Sequence, residues 1–353
     1  MNILVYGAGA IGGYLGGKLA LAGHQVSLIT RPATAGTINE QGLFITEGEI
    51  TMRAPVRAFG QLAGAFAGRP DVDLVILGMK SYDLSEAVAH LADVCPDAPC
   101  VMSTQNGIGL EEMIVGRFEA ERTLAGSVTI PISRARPNHL VVERAKRGLG
   151  IAPAQPGSSV ERWVSLFRGA GIRAGALPDY RAMKWSKAFL NIMGNAGSAI
   201  LNRPPAELYR LDAIFDLEMR MLREALAVMR RLGLSVVNLP GATARPLANS
   251  LSCAPRALLR LVFNQVVVHG RGDKMPSFYL DLAAGKRDNE VVFHNGAIAA
   301  AGREAGVAVP VNTALNDILS RMARGSIARE IFDGRPDRLL AAVGRYEQGE
   351  VYA

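Results

Sequence analysis

The sequence predicts an α/β chain with a parallel, helix-covered sheet in its first half and an all-helical second half. Three observations carry this. The first half alternates short apolar runs with helical stretches, as a parallel sheet flanked by helices requires. The apolar run Ile3-Leu4-Val5-Tyr6 passes at once into the glycine-rich turn Gly7-Ala8-Gly9-Ala10-Ile11-Gly12. After Pro178 the alternation stops and long helical periods take over.

In order, the first strand begins at residue 2, a helix spans 11–22 and ends at Gly23, and a second strand spans 25–30. Further strands are expected over 73–78, 100–104, 123–130, 140–143 and 148–152, with a helix over 159–168 and a last strand over 171–174. These elements form a domain over 1–177. The remainder, 178–353, is expected to hold helices over 179–201, 211–232, 254–268, 289–305 and 312–324. The stretch 240–252, rich in small residues and proline, reads as a loop.

A strand followed directly by G-x-G-x-x-G is the opening of a Rossmann-type dinucleotide-binding unit, and each glycine has its own task. Gly7 permits the tight turn, Gly9 lets the backbone approach a pyrophosphate, and Gly12 lets the helix pack on its strand. The pyrophosphate then lies on a helix N-terminus, where free N–H groups and the helix dipole favour an anion. Ala8, Ala10 and Ile11 supply the rest of that turn. The choice of dinucleotide follows from the second strand, where an NAD site offers an acid to the ribose 2′-hydroxyl. This chain has no acid before Glu40 and presents Thr30-Arg31 instead. A guanidinium suits a 2′-phosphate, so the expected cofactor is NADPH. The other reading of Arg31 is a solvated loop arginine.

At 353 residues and 49% hydrophobic content, the chain is large enough for two domains. Cys95, Cys100 and Cys253 are odd in number and lack metal-ligand spacing, so they read as reduced thiols in a cytoplasmic protein without a metal site. No secretory signal or membrane span is expected. The net charge of +7 is scattered among acids, and aromatics make up only 6%. Small anionic ligands therefore explain it better than nucleic acid. The oligomeric state stays open, a homodimer included.

The candidate chemistry lies where the helical half begins. Lys184, Lys187, Asn191, Asn195 and Ser198 recur at intervals of three or four, which places them along one helix face. Asparagine is a poor helix former, so two at helical spacing suggest another task. One reading is a polar stripe facing an oxygen-rich substrate, with Lys187 as the acid. Carbonyl reduction needs a proton at the developing alkoxide, and a lysine screened from water can be tuned to deliver it. The other reading is a snorkelling lysine beside structural asparagines. His24, His90, His139, His269 and His294 show no comparable arrangement. Glu290 sits where the predicted helix 289–305 begins, and it can equally be a carboxylate that complements the helix dipole.

Together these residues resemble the ketopantoate reductase family (2-dehydropantoate 2-reductase). The matching motifs are the N-terminal Gly-Ala-Gly-Ala-Ile-Gly-Gly, Lys80 in Gly-Met-Lys-Ser, and Asn106 in Gln-Asn-Gly-Ile-Gly. Further along are Trp185-Ser186-Lys187 with Asn191 and Asn195, Pro276-Ser277 with Asp281, Glu290 through Asn295-Gly296, and the stretch from Gly306 to Asn312. The resemblance implies a Rossmann domain followed by a helical domain, and NADPH-dependent reduction of ketopantoate to pantoate on the route to pantothenate and coenzyme A. It implies Lys187 as general acid, and Glu290 as the residue that binds the substrate hydroxyl and orients the lysine. Asn191, Asn195 and Ser277 would hold substrate oxygens. Lys80 and Asn106 would lie against the cofactor, with Asn106 also near the reacting carbonyl.

Two departures border the expected substrate pocket. The family's Gly-Arg-x-Thr-Glu reads here Gly-Lys-Arg-Asp-Asn-Glu, one residue longer and without the threonine, and the region 239–275 is longer than compact members need. Another small branched 2-oxo acid is therefore an alternative substrate. A non-catalytic NADPH-binding sensor is the alternative from a different class, although such a protein would have no use for Lys187 and the substrate-facing amides.

Overall fold

The computed structural model describes residues 1–67, 71–144, 146–271 and 274–352, without the side chains of 268–271, so His269 lies outside the described side chains. The fold class is the one the sequence predicts. The chain forms two compact units: residues 1–105, 109–183 and 238–242 make the first, and residues 106–108, 184–237 and 243–353 make the second.

The strands of the first unit are β1 (Asn2–Tyr6), β2 (Gln25–Ile29), β3 (Leu43–Glu47), β4 (Ile50–Ala54), β5 (Arg57–Phe59), β6 (Leu74–Leu77), β7 (Val101–Ser103), β8 (Thr123–Val128), β9 (Ile132–Arg136), β10 (His139–Val142), β11 (Leu149–Pro153) and β12 (Ala174–Ala176). The main sheet runs β12-β11-β8-β7-β6-β1-β2-β5. From β5 to β8 all neighbours are parallel. Numbered along the chain, those six strands stand in the order 3-2-1-4-5-6, the doubly wound arrangement whose ligand crevice opens where the order reverses. The reversal lies between β1 and β6. The sheet is not parallel throughout, because β11 runs antiparallel to β8.

A second sheet, β4-β3-β10-β9, was not expected from the sequence. It explains why the helix Ala10–Leu21 is apolar on nearly every side. That helix packs on β1 and β2 and also touches β3, β4, β9 and β10, so Gly12 through Ala20 are all buried. A helix enclosed on both sides has no polar face to present. Gly16 makes the fit close: a Cβ there would fall 2.8 Å from Leu28 Cδ2.

A short strap also completes the first unit. Thr129 Oγ1 donates to Pro240 O at 2.6 Å, and Arg147 Nη1 donates to Gly241 O at 2.7 Å. A Cβ on Gly148 would lie 2.8 Å from Pro240 Cβ, so the strap rests against bare backbone at the start of β11.

The second unit is helical. Its longest helix, Asp212–Arg231, begins on an acid and ends on Arg230 and Arg231, matching charge to the helix dipole. Its inward face includes Phe215, Leu222 and Met229, packed in one core with Phe189, Ile192 and Phe278. Burying each such side chain stabilises the unit by about 1.5–3 kcal/mol.

Three expectations need correction. The predicted helix 179–201 is two helices, Tyr180–Ile192 and Ala196–Leu201, because Gly194 takes a left-handed conformation (φ +56°) between them. The predicted loop 240–252 gives way at Arg245 to the helix Arg245–Cys253, with Pro246 in its first turn, where a missing N–H costs nothing. The predicted helix 289–305 is a 3₁₀ turn, Glu290–Phe293, followed by the helix Asn295–Ala305.

The cysteines are unpaired: Cys253 is exposed, Cys95 half-buried and Cys100 buried. Burial pushes the Cys100 thiol up to about 12, so its reactive thiolate is scarce near neutral pH. In native protein at pH 8, Ellman's reagent is expected to label Cys253 rapidly and to reach Cys100 only on unfolding. Fast labelling of Cys100, located by peptide mapping, would contradict this burial.

Candidate functional site

The glycine turn in the first unit is built as a ligand cradle. Gly7 has φ +94°, and a Cβ there would fall 2.4 Å from Met79 N. A Cβ on Gly12 would fall 2.4 Å from Gly7 O, and one on Gly78 would fall 2.6 Å from the same oxygen. The ends of β1 and β6 therefore meet on three glycines, where the strand order reverses. Gly9 differs: its Cβ direction meets only Gly78 O, at 3.9 Å. Gly9 is also the N-cap of the helix Ala10–Leu21, which has no acid in its first turn and, among the described residues, no side-chain cap. The first N–H groups of that helix thus keep their donor capacity for an anion. These features fit the pyrophosphate of a dinucleotide.

The neighbouring turns fit the same purpose. Arg31 is exposed directly beyond β2, as N-cap of the helix Pro32–Gln41, whose first turn carries no acid. Gln105, buried at the end of β7, donates through Nε2 to Leu77 O at 2.9 Å and Met79 O at 3.2 Å. It thereby fixes the backbone leading into Lys80, which is half-buried and caps the 3₁₀ turn Ser81–Asp83.

The other predicted residues, Asn106, Lys187, Asn191, Asn195, Ser277 and Glu290, all belong to the second unit. Lys187 and Asn191 are half-buried one turn apart on the helix Tyr180–Ile192, while Lys184, one turn earlier, is buried. Asn195 is not on that helix face. It follows the break, and its side chain binds in three directions. Nδ2 donates to Asn191 O at 3.1 Å and approaches Ser277 Oγ at 3.5 Å, and Oδ1 accepts from Phe278 N at 3.2 Å. Ser277 is exposed and opens the helix Ser277–Ala283. Ser198 is fully buried in the following helix, Ala196–Leu201.

The frame continues to Glu290. Asn289 Nδ2 donates to Phe278 O at 3.1 Å, and Asn289 Oδ1 accepts from Val291 N at 3.0 Å. Glu290 begins the 3₁₀ turn and is buried. That turn also holds the Asn106 loop, because Ile108 N donates to Phe293 O at 2.9 Å. A continuous hydrogen-bonded line thus runs from Asn191 through Asn195, Phe278 and Asn289 to the Glu290 turn and the loop of Asn106.

Sequence reasoning missed two residues here. Asn289 was visible only as the absence of a threonine. Glu218 gave no signal in the sequence, yet its buried carboxylate accepts Gly194 N at 2.8 Å and the Tyr209 hydroxyl at 3.1 Å. It satisfies the backbone where the two helices part. Neither lone feature is informative in one dimension, because the partners are distant along the chain.

Glycines shaped for a phosphate on a doubly wound sheet in one unit, and a lysine, amides and a buried carboxylate in the other, together fit a dinucleotide-binding oxidoreductase class. Residues 3–153 match the family described as ketopantoate reductase PanE/ApbA, and residues 179–323 match its C-terminal part. The chain belongs to the ketopantoate reductase family. It is 29% identical over 315 residues to a 2-dehydropantoate 2-reductase of Pyrococcus horikoshii, covering 88% of this chain and 94% of that one. A PanE/ApbA family ketopantoate reductase from Ralstonia eutropha superposes with a TM-score of 0.78 at 26% identity, covering 92% of this chain and 99% of the other. The same fold occurs in a D-mandelate dehydrogenase solved with NADH and anilino(oxo)acetate, with a TM-score of 0.77 at 22% identity over 92% of this chain and 99% of that chain. Among the described residues no helix is long and apolar enough to cross a membrane, and no cluster of metal-ligating side chains occurs.

The helix break is open to test. A side chain at Gly194 would adopt φ +56° and bring its Cβ within 2.9 Å of Pro205 Cβ. Gly194→Ala is expected to lower stability by about 1–3 kcal/mol, read as a reduced urea midpoint with unchanged slope. An unshifted midpoint would show that the break is not held this way.

Proposed function

We propose that this chain reduces ketopantoate to pantoate with NADPH in the cytoplasm, supplying pantothenate and coenzyme A synthesis. The observation that carries this reading is the hydrogen-bonded line that joins Asn191, Asn195, Ser277 and the Glu290 turn in the unit that also carries Lys187, within a member of the ketopantoate reductase family. Residues 1–177 would act as the NADP-binding domain and 178–353 as the substrate and catalytic domain.

When bound, the reduced nicotinamide supplies a hydride to the substrate's C2. Gly7, Ala8, Gly9, Ala10, Ile11 and Gly12 would hold its pyrophosphate, Arg31 the 2′-phosphate, and Lys80 and Asn106 the remainder. Lys187 would give a proton to the alkoxide oxygen and, while charged, stabilise the negative charge developing there. Glu290 would accept a hydrogen bond from the substrate hydroxyl and orient Lys187. Asn191, Asn195, Ser277 and Asn106 would fix the substrate's oxygens, so that proton and hydride reach one carbonyl in a single geometry.

A second reading keeps this chemistry and changes the substrate to another branched 2-oxo acid. It is supported by the same fold occurring in a protein named D-mandelate dehydrogenase. The deciding experiment follows NADPH absorbance on addition of ketopantoate, with NADH and a panel of 2-oxo acids in parallel. NADPH-specific turnover with the highest efficiency on ketopantoate is expected. A better substrate elsewhere in the panel selects the second reading, and NADPH binding without turnover selects a sensor.

Two variants test the roles. Lys187→Ala is expected to lower kcat by about 10²–10⁴-fold while NADPH affinity, measured by fluorescence, stays near wild type; unchanged turnover removes the lysine from the reaction. Arg31→Glu is expected to weaken NADPH by about tenfold or more and leave NADH nearly unaffected, since a like charge would face the 2′-phosphate. Equal effects on the two cofactors would exclude Arg31 from that role.

A further inference from the structure

Asn289 occupies the place where the family resemblance anticipates threonine, immediately before Glu290 and at the end of a loop one residue longer than usual. It is buried, and both ends of its amide are engaged: Nδ2 with Phe278 O at 3.1 Å, Oδ1 with Val291 N at 3.0 Å. The Phe278 peptide groups are gripped from the other side as well, because Phe278 N donates to Asn195 Oδ1 at 3.2 Å. The Phe278 ring is fully buried, which stops the gripped backbone from sliding. Two asparagines thus hold one residue, one through its N–H and the other through its carbonyl.

The intervening loop is closed independently. Lys286 Nζ binds Asp281 Oδ1 at 2.6 Å, and Lys286 N donates to Asp281 O at 3.2 Å. The helix Ser277–Ala283 is therefore tied to the chain beyond it near Asp281 and again at Asn289. A threonine hydroxyl is shorter and carries donor and acceptor on one atom, whereas the amide separates them and spans the gap between two backbone strands.

We infer that Asn289 is a positioning residue for the reaction: its amide sets the Glu290 turn against the Ser277 helix, so that the carboxylate and the serine address one substrate together. This rests on the reading that Glu290 and Ser277 bind the 2-oxo acid. Asn289 touches neither reactant in this scheme and acts through its neighbours, as groups behind a binding shell do.

Asn289→Asp tests it, because the acid retains an acceptor for Val291 N–H and loses the donor to Phe278 O. The expected result is a fall in kcat/KM for the 2-oxo acid of about 10–100-fold, with KM for NADPH moving less than about twofold. On a Glu290→Gln background the same change should cost little more, since its effect passes through Glu290. Amide exchange by mass spectrometry should quicken in 277–283 and 290–293. Asn289→Thr, which retains a cap hydroxyl, provides a second variant if the acid disturbs folding. Full additivity with Glu290→Gln, unchanged kcat/KM, or unchanged exchange in both variants overturns the inference. Absence of turnover in the wild-type protein with every 2-oxo acid is instead the failure of the reaction reading, and the exchange measurement still decides whether Asn289 fixes the turn.

Discussion

The polar half of the candidate site depends on one buried carboxylate. Glu218 is 2% exposed and accepts the N–H of Gly194 where one helix ends and another begins. Leaving that N–H buried without a partner would cost about 1–3 kcal/mol. The bond therefore decides the path of the backbone. With the helix broken at Gly194, Asn195 leaves the face it would share with Lys187 and Asn191 and turns towards Ser277 and Phe278. An unbroken helix would align the amides but could not join the Ser277 segment to them.

The legible parts of this protein are those whose chemistry is local. The glycine turn is readable because a strand, a tight turn and a helix N-terminus are consecutive in the chain, and each glycine's contact lies at the two ends being joined. The candidate residue types were also legible in part: helical spacing drew out Lys187, Asn191 and Asn195, whereas Ser277 and a binding role for Glu290 rest on the family resemblance. Their linkage was not. The break at Gly194 depends on Glu218, 24 residues away, while the apolar spacing of Phe189, Ile192, Met193 and Ala196 continues as if the helix did. The helix Arg245–Cys253 was hidden by Pro246, which the sequence presents as a breaker and the fold uses as a starter. The second sheet escaped notice because β4 and β9 are largely exposed and lack the apolar runs that mark strands of the main sheet.

The two units differ in the chemistry they present. The first offers backbone: N–H groups at a helix start, glycines that leave room, and an exposed guanidinium for charge. Such a surface suits a phosphorylated cofactor shared among many enzymes. The second offers side chains held by other side chains, so its shape can change with a single substitution. Asn289, where the resemblance anticipates threonine, belongs to this second kind. The glycine turn has no such freedom, because a Cβ added at Gly7, Gly12 or Gly78 would fall under 3 Å from neighbouring backbone.

The strap of residues 238–242 bears on how the chain comes into being. Its bond from Thr129 to Pro240 spans 111 residues, and residues 184–237 in between belong to the other unit. During synthesis the sheet can begin to assemble once β8 has emerged, but the start of β11 stays uncovered until Pro240 leaves the ribosome. At about 5–20 residues per second, the sheet is left with a bare flank for several seconds.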